Sequence, residues 1–157
     1  MITLVLGGAR SGKSEVAEGL CEGPVMYMAT GVARDGDMAA RISAHRARRP
    51  EAWMTVEASH AEVPGLVRRS TSNLLLDSLT TWVAEAPDFV VDAGALCDAL
   101  VNRPADSVLV SDEVGLGVHP SSEAGRIFRD RLGELNRQVA TIADRVLLVV
   151  AGRVLEL

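Results

Sequence analysis

Apolar residues along this chain gather in short continuous runs instead of alternating with polar ones. The runs predict strands over residues 2–6, 25–29, 73–76, 107–110 and 145–151, with further short strands at 53–57 and, as an edge, 154–157. Between them lie segments of helical make-up. These are 13–20, about 38–48 after a loop at 30–36, 61–69, 78 to just before Pro87, 93–100, and a long one over 121–143. In the last, Phe128, Leu132, Leu135, Val139 and Ile142 step by four, three, four and three, which marks one buried stripe. Continuous apolar strands separated by helices predict an α/β fold, a mainly parallel sheet with helices on both faces. The sequence shows no internal repeat or linker, so a single domain over 1–157 is expected.

Composition narrows the function classes. The 157 residues are 48% apolar and 24% charged, enough for one core and unlike a disordered chain. With 21 acidic against 16 basic residues the formal net charge is -5, so any anion site must be local. Two Phe, one Tyr and two Trp offer no extended stacking platform, and no nucleic-acid partner is expected. No apolar run reaches the ~18 residues of a membrane span, and the start is too short and uncharged for a secretory signal. A cytoplasmic protein without a membrane span is the expectation. Cys21 and Cys97 stand far apart with no clustered ligands nearby, so free thiols and no zinc are expected.

The chemistry begins at the first glycine-rich turn. Gly7, Gly8, Ala9, Arg10, Ser11, Gly12, Lys13 and Ser14 match GxxxxGK[ST] in full, between a predicted strand and a predicted helix. Such a P-loop turns its backbone N–H groups toward phosphate oxygens, and the helix start adds a favourable dipole. Lys13 is the only lysine in the chain, and it is expected to reach the β and γ phosphates while Ser14 offers its hydroxyl to Mg²⁺. Asp77 ends a predicted strand, where a second carboxylate can join the magnesium shell, or it caps the helix that follows. Asp112 and Glu113 end another strand, with the same two readings, ligand group or cap.

Arg41, His45 and Arg49 are four apart and share a helix face, with Arg46 and Arg48 beside them. A histidine can attack a phosphoryl group while guanidiniums hold the phosphates that leave. A solvated basic helix or a phosphate-holding surface explains the same residues. His60 and His119 lack such surroundings and read as surface or loop residues, His119 lying in the loop that follows Glu113.

The blocks GGARSGKSxxAE at 7–18, YMAT at 27–30, MAARISAHRARRP at 38–50, LLLDSLTTW at 74–82 and SDEVGLGVHP at 111–120 resemble, in this order, one family. That family is the bifunctional adenosylcobinamide kinase/adenosylcobinamide-phosphate guanylyltransferase of cobalamin biosynthesis. The resemblance spans nearly the whole chain. It implies a P-loop NTPase fold with a RecA-like parallel sheet and an antiparallel addition, working as a homo-oligomer, a trimer. It implies phosphorylation of adenosylcobinamide by ATP or GTP, then transfer of GMP from GTP to adenosylcobinamide phosphate through a guanylyl-histidine. By motif match that histidine is His45. Arg46, Ala47, Arg48 and Arg49 fall in the guanine-nucleotide segment, as do Thr30, Gly31 and Val32. Glu57 and Asp77 match further nucleotide contacts, and Ser14, Asp77 and Glu113 are the magnesium candidates. The chain is shorter than many members between about 55 and 107, and Ser78 stands where the family often has cysteine. A monofunctional kinase or guanylyltransferase, or a nucleotide-dependent interaction protein, is the competing reading.

Overall fold

The computed structural model describes residues 1–31 and 50–157. Its strands are β1 (Ile2–Gly7), β2 (Val25–Ala29), β3 (Met54–Glu57), β4 (Asn73–Asp77), β5 (Ser107–Asp112), β6 (Arg145–Val150) and β7 (Arg153–Glu156). The helices among the described residues are α1 (Lys13–Gly19), α2 (Val63–Arg69), α3 (Leu79–Glu85), α4 (Ala93–Val101) and α5 (Glu123–Ile142), with a 3-10 turn at Pro87–Phe89. The helix expected at 38–48 lies outside the described residues.

The strands form one seven-stranded sheet in the order β3-β2-β4-β5-β1-β6-β7. Every neighbouring pair is parallel except β6 and β7, which run antiparallel. One strand, β5, separates the loop-bearing β1 from β4, and β7 is an antiparallel addition at the edge.

Each strand feeds both faces because successive side chains point opposite ways. On one face Val5, Val25, Tyr27, Leu75, Val108, Val110, Leu147 and Val149 pack with Ala17 of α1. On the other Leu4, Leu6, Met26, Met28, Leu74, Leu76 and Leu109 meet α2 to α5. The stripe on α5 behaves as its spacing predicts: Leu132, Leu135 and Val139 are buried, while Phe128 and Ile142 lie partly buried at its ends. Phe128 completes its packing edge-on against Phe89, with ring centroids 5.5 Å apart. Trp82 of α3 is fully buried and donates its indole N–H to the His60 carbonyl at 2.8 Å.

The helix starts follow local chemistry. Ser78, Asp92 and Ser122 cap α3, α4 and α5 by accepting from the N–H of Thr81, Ala95 and Gly125. At the amino-terminal rim Arg103, only 8% exposed, donates to the carbonyls of Ser72 and Asp106 and to the Ser107 hydroxyl. Burial lowers its pKa, partly offset by the nearby charge of Asp106. The guanidinium therefore staples the start of β5 to the loop before β4.

Candidate active site

Register brings the predicted groups to one rim. Gly7 at the end of β1 is level with Asp112 of β5 and with Val149 of β6. Asp77 of β4 is level with Ala29 of β2, which in turn pairs with Glu57 of β3. All of these are carboxyl-terminal strand ends, the rim where open parallel sheets hold ligands. Strand alternation sets the face as well. Asp77 follows Leu75 by two and Asp112 follows Val110 by two, and both leucine and valine pack on the α1 side. The two carboxylates thus project on the face that carries the phosphate loop.

The loop between β1 and α1 is built tightly. Gly12 has φ +94°, the left-handed region that glycine enters freely, and Arg10 adopts φ 58° beside it. A side-chain carbon on Gly7 would sit 2.5 Å from Ser11 Oγ and 2.7 Å from the Val149 carbonyl, so only glycine fits. The Ser11 N–H donates to Gly8 O at 3.2 Å, and the Gly152 N–H donates to Ser11 O at 2.8 Å, which ties the β6–β7 turn to the loop. Lys13 Nζ lies 2.5 Å from Asp112 Oδ1 and donates to Gly8 O at 3.3 Å. An ammonium at the start of a helix that follows a tight glycine turn is a phosphate site in composition.

Asp77 is not a cap. Ser78 fills that position, so the Asp77 carboxylate serves the rim, where it accepts from the Tyr27 hydroxyl at 2.7 Å. Asp112 and Glu113 are not caps either, since α5 starts ten residues on and is capped by Ser122. The two differ sharply. Asp112 meets Lys13, whereas the Glu113 carboxylate accepts from the Gly115 N–H at 2.7 Å. Sequence reasoning placed Glu113 in the magnesium set and left Asp112 beside it. Counting strand parity from Val108 and Val110 puts Asp112 on the Lys13 side, and the same count puts Tyr27 on the Asp77 side.

Thr30 is buried and its hydroxyl donates to Ser78 O at 2.6 Å and lies 2.7 Å from Thr81 Oγ1. Its side chain fastens the loop after β2 to the start of α3. Glu57 is exposed at the end of β3. His60 is half-buried with its carbonyl on Trp82, and His119 is exposed with Nδ1 2.8 Å from Arg129. Val32, Arg41, His45, Arg46, Ala47, Arg48 and Arg49 lie outside the described residues.

Among the described residues no three His, Cys, Asp or Glu side chains gather as a metal centre. Magnesium on a bound nucleotide needs less, because phosphate oxygens and water fill most of its octahedron. The Ser14 hydroxyl and the Asp77 carboxylate, hard oxygen donors on the loop and on the same face of the rim, fit that demand. Both cysteines are free, and burial together with the Glu18 charge pushes the Cys21 thiol up to about 11.

The bifunctional adenosylcobalamin biosynthesis protein CobU of Escherichia coli (strain K12) is 41% identical, covering 97% of this chain and 97% of that protein. The bifunctional adenosylcobalamin biosynthesis protein CobP of Pseudomonas aeruginosa is 40% identical, covering 97% of this chain and 94% of that protein. Among solved structures, the P4 protein from bacteriophage phi6 in complex with ADP aligns with 98% of this chain at a TM-score of 0.48 and 15% identity, and the chain spans about half, 52%, of its length. The profile of the family described as cobinamide kinase / cobinamide phosphate guanyltransferase matches residues 3–157. With that profile matched from β1 to the last residue, the chain belongs to the cobinamide kinase / cobinamide phosphate guanyltransferase family.

Proposed function

We propose that this chain carries out both reactions at the one rim, phosphorylating the aminopropanol hydroxyl of adenosylcobinamide and then attaching GMP through His45. The observation that carries the reading is the phosphate loop with Lys13 paired to the strand-end carboxylate of Asp112, in a chain whose residues 3–157 match the family. In the kinase reaction the corrinoid hydroxyl attacks the γ phosphorus of ATP or GTP, and the nucleoside diphosphate leaves. In the second reaction a His45 ring nitrogen attacks the α phosphorus of GTP. A nitrogen–phosphorus bond forms, the bond to the bridging oxygen breaks, and pyrophosphate departs. The phosphate of adenosylcobinamide phosphate then takes the guanylyl group and frees the imidazole.

The loop from Gly7 to Ser14 holds the phosphates by backbone N–H groups, and Lys13 neutralises charge on the departing ones. Gly31 and the Thr30 backbone border the nucleotide, with Val32 beyond them. Arg46, Ala47, Arg48 and Arg49 accompany His45, where guanidiniums offset phosphate charge. Glu57 and Asp77 are the acidic nucleotide contacts of the rim. Mg²⁺ on Ser14 and Asp77 would supply charge neutralisation at the phosphates. Action as a homo-oligomer, a trimer, in the cytoplasm completes the reading.

Intact-protein mass spectrometry after incubation with GTP and Mg²⁺ tests it. The expected result is a gain of one GMP, absent with ATP and absent in His45→Ala. Folded, GTP-binding protein that gains no mass, even with pyrophosphatase pulling the reaction forward, removes the guanylyl-histidine.

A further inference from the structure

We infer that Asp112 is the positioning residue for Lys13, and that through it the phosphate loop favours phosphates arriving with a divalent cation. The inference rests on the reading of the loop as the nucleotide site. Lys13 Nζ lies 2.5 Å from Asp112 Oδ1, and the two side chains are 13% and 25% exposed, so solvent screens the pair only partly.

Asp112 is the fixed member of the pair. Its N–H donates to Thr80 Oγ1 of α3 at 2.8 Å, and its carbonyl accepts from Asn136 Nδ2 of α5 at 3.1 Å. The next N–H, that of Glu113, donates to Gly7 O at 3.1 Å. Three elements thus hold the backbone on either side of this carboxylate. Lys13 stands on a long flexible stem, so incoming phosphates draw the ammonium away while the carboxylate stays.

Two consequences follow from charge alone. Phosphates must compete with Asp112 for the ammonium, and they come to rest beside a fixed negative charge. A cation carried on the phosphates offsets that repulsion, whereas bare pyrophosphate meets it in full. After transfer, pyrophosphate that sheds its metal is displaced as Asp112 takes Lys13 back. The residue acts on binding and release through Lys13, without touching the reacting phosphorus.

Asp112→Asn keeps the shape and the backbone bonds and removes the charge. Titration calorimetry with inorganic pyrophosphate in EDTA should show binding about tenfold tighter in D112N than in wild type, since a charge-assisted contact no longer competes. In excess Mg²⁺ the gain should fall to about twofold. An unchanged or weaker affinity in EDTA overturns the inference, and so does an equal gain in both media. Asp112→Ser serves the same comparison if D112N does not fold. Because Lys13 is the only lysine, protein labelled with ¹³C-lysine shows one ε-methylene resonance. That resonance should differ between ligand-free wild type and variant, and coincidence of the two refutes the pair in solution. Pyrophosphate that binds neither protein in either medium removes the phosphate-loop reading and this inference with it. Binding to the wild type without a gain in D112N overturns the inference alone.

Discussion

Replacing Gly7 by alanine separates the structural role of the phosphate loop from its chemical one, because its neighbour Gly8 supplies an internal control. A carbon added at Gly7 meets Ser11 Oγ at 2.5 Å and the Val149 carbonyl at 2.7 Å. The serine can turn away at little cost, since its hydroxyl has no hydrogen-bond partner to lose. The carbonyl cannot, because it belongs to β6, whose Val149 is paired in register with Gly7 itself. Relieving the contact requires a shift of several tenths of an ångström in β6 or in the loop. Overpacking of this kind costs about 1–3 kcal/mol. For a chain of this size, at roughly 3 °C per kcal/mol, Tm should fall by about 3–9 °C. At Gly8 the added carbon meets nothing within 4 Å and the backbone is not left-handed, so G8A should melt within about 2 °C of wild type. Calorimetric melts of the three proteins give the comparison. G7A melting within about 1 °C of wild type, or G8A falling as far as G7A, would refute the packing account of why the loop begins with glycine.

Two further outcomes test the scaffold. Ser78→Ala removes the acceptor for the Thr81 N–H, held at 3.3 Å, and should cost about 1 kcal/mol in urea unfolding; a loss indistinguishable from zero would mean that Asp77 or solvent caps α3 as well. The Cys21 thiol, pushed up to about 11 by burial, is thiolate in only about one molecule in a thousand at pH 8, so native protein should react slowly with iodoacetamide there and faster as pH rises toward 11. Rapid labelling of Cys21 at pH 8 would contradict its burial.

The central strands were legible because burial on both faces writes them as nearly unbroken apolar runs, and the β2 bounds of 25–29 agree residue for residue. The long helix was legible from its stripe, and Phe128 at the stripe's edge found an aromatic partner no local pattern announces. The loop was legible because its motif specifies backbone geometry directly. What local pattern could not supply is strand order. Nothing in residues 2–7 says that β5 rather than β4 lies beside β1, and only that adjacency brings Asp112 to Lys13. The strand-end pair Asp112 and Glu113 shows the same limit, because the alternation of β5 runs into a loop there and the two side chains part, one to Lys13 and one to the Gly115 N–H. Arg103 passed unnoticed for a different reason. A lone arginine in a polar stretch reads as solvated, and its carbonyl partners carry no side-chain signature.

That same arginine changes how the surface of this protein should be edited. Arginines make up 15 of its 16 basic residues, so a scheme for solubility, crystallisation or charge reduction would exchange them freely. Position 103 does not belong in such a library. With 8% of its area exposed and its fork closed on backbone oxygens, it tolerates change as Leu100 and Leu109 do. Lysine is no conservative exchange there, because a single ammonium cannot span acceptors set around a planar fork. In a map of mutational tolerance the far rim of the sheet would carry one basic position with the profile of the interior.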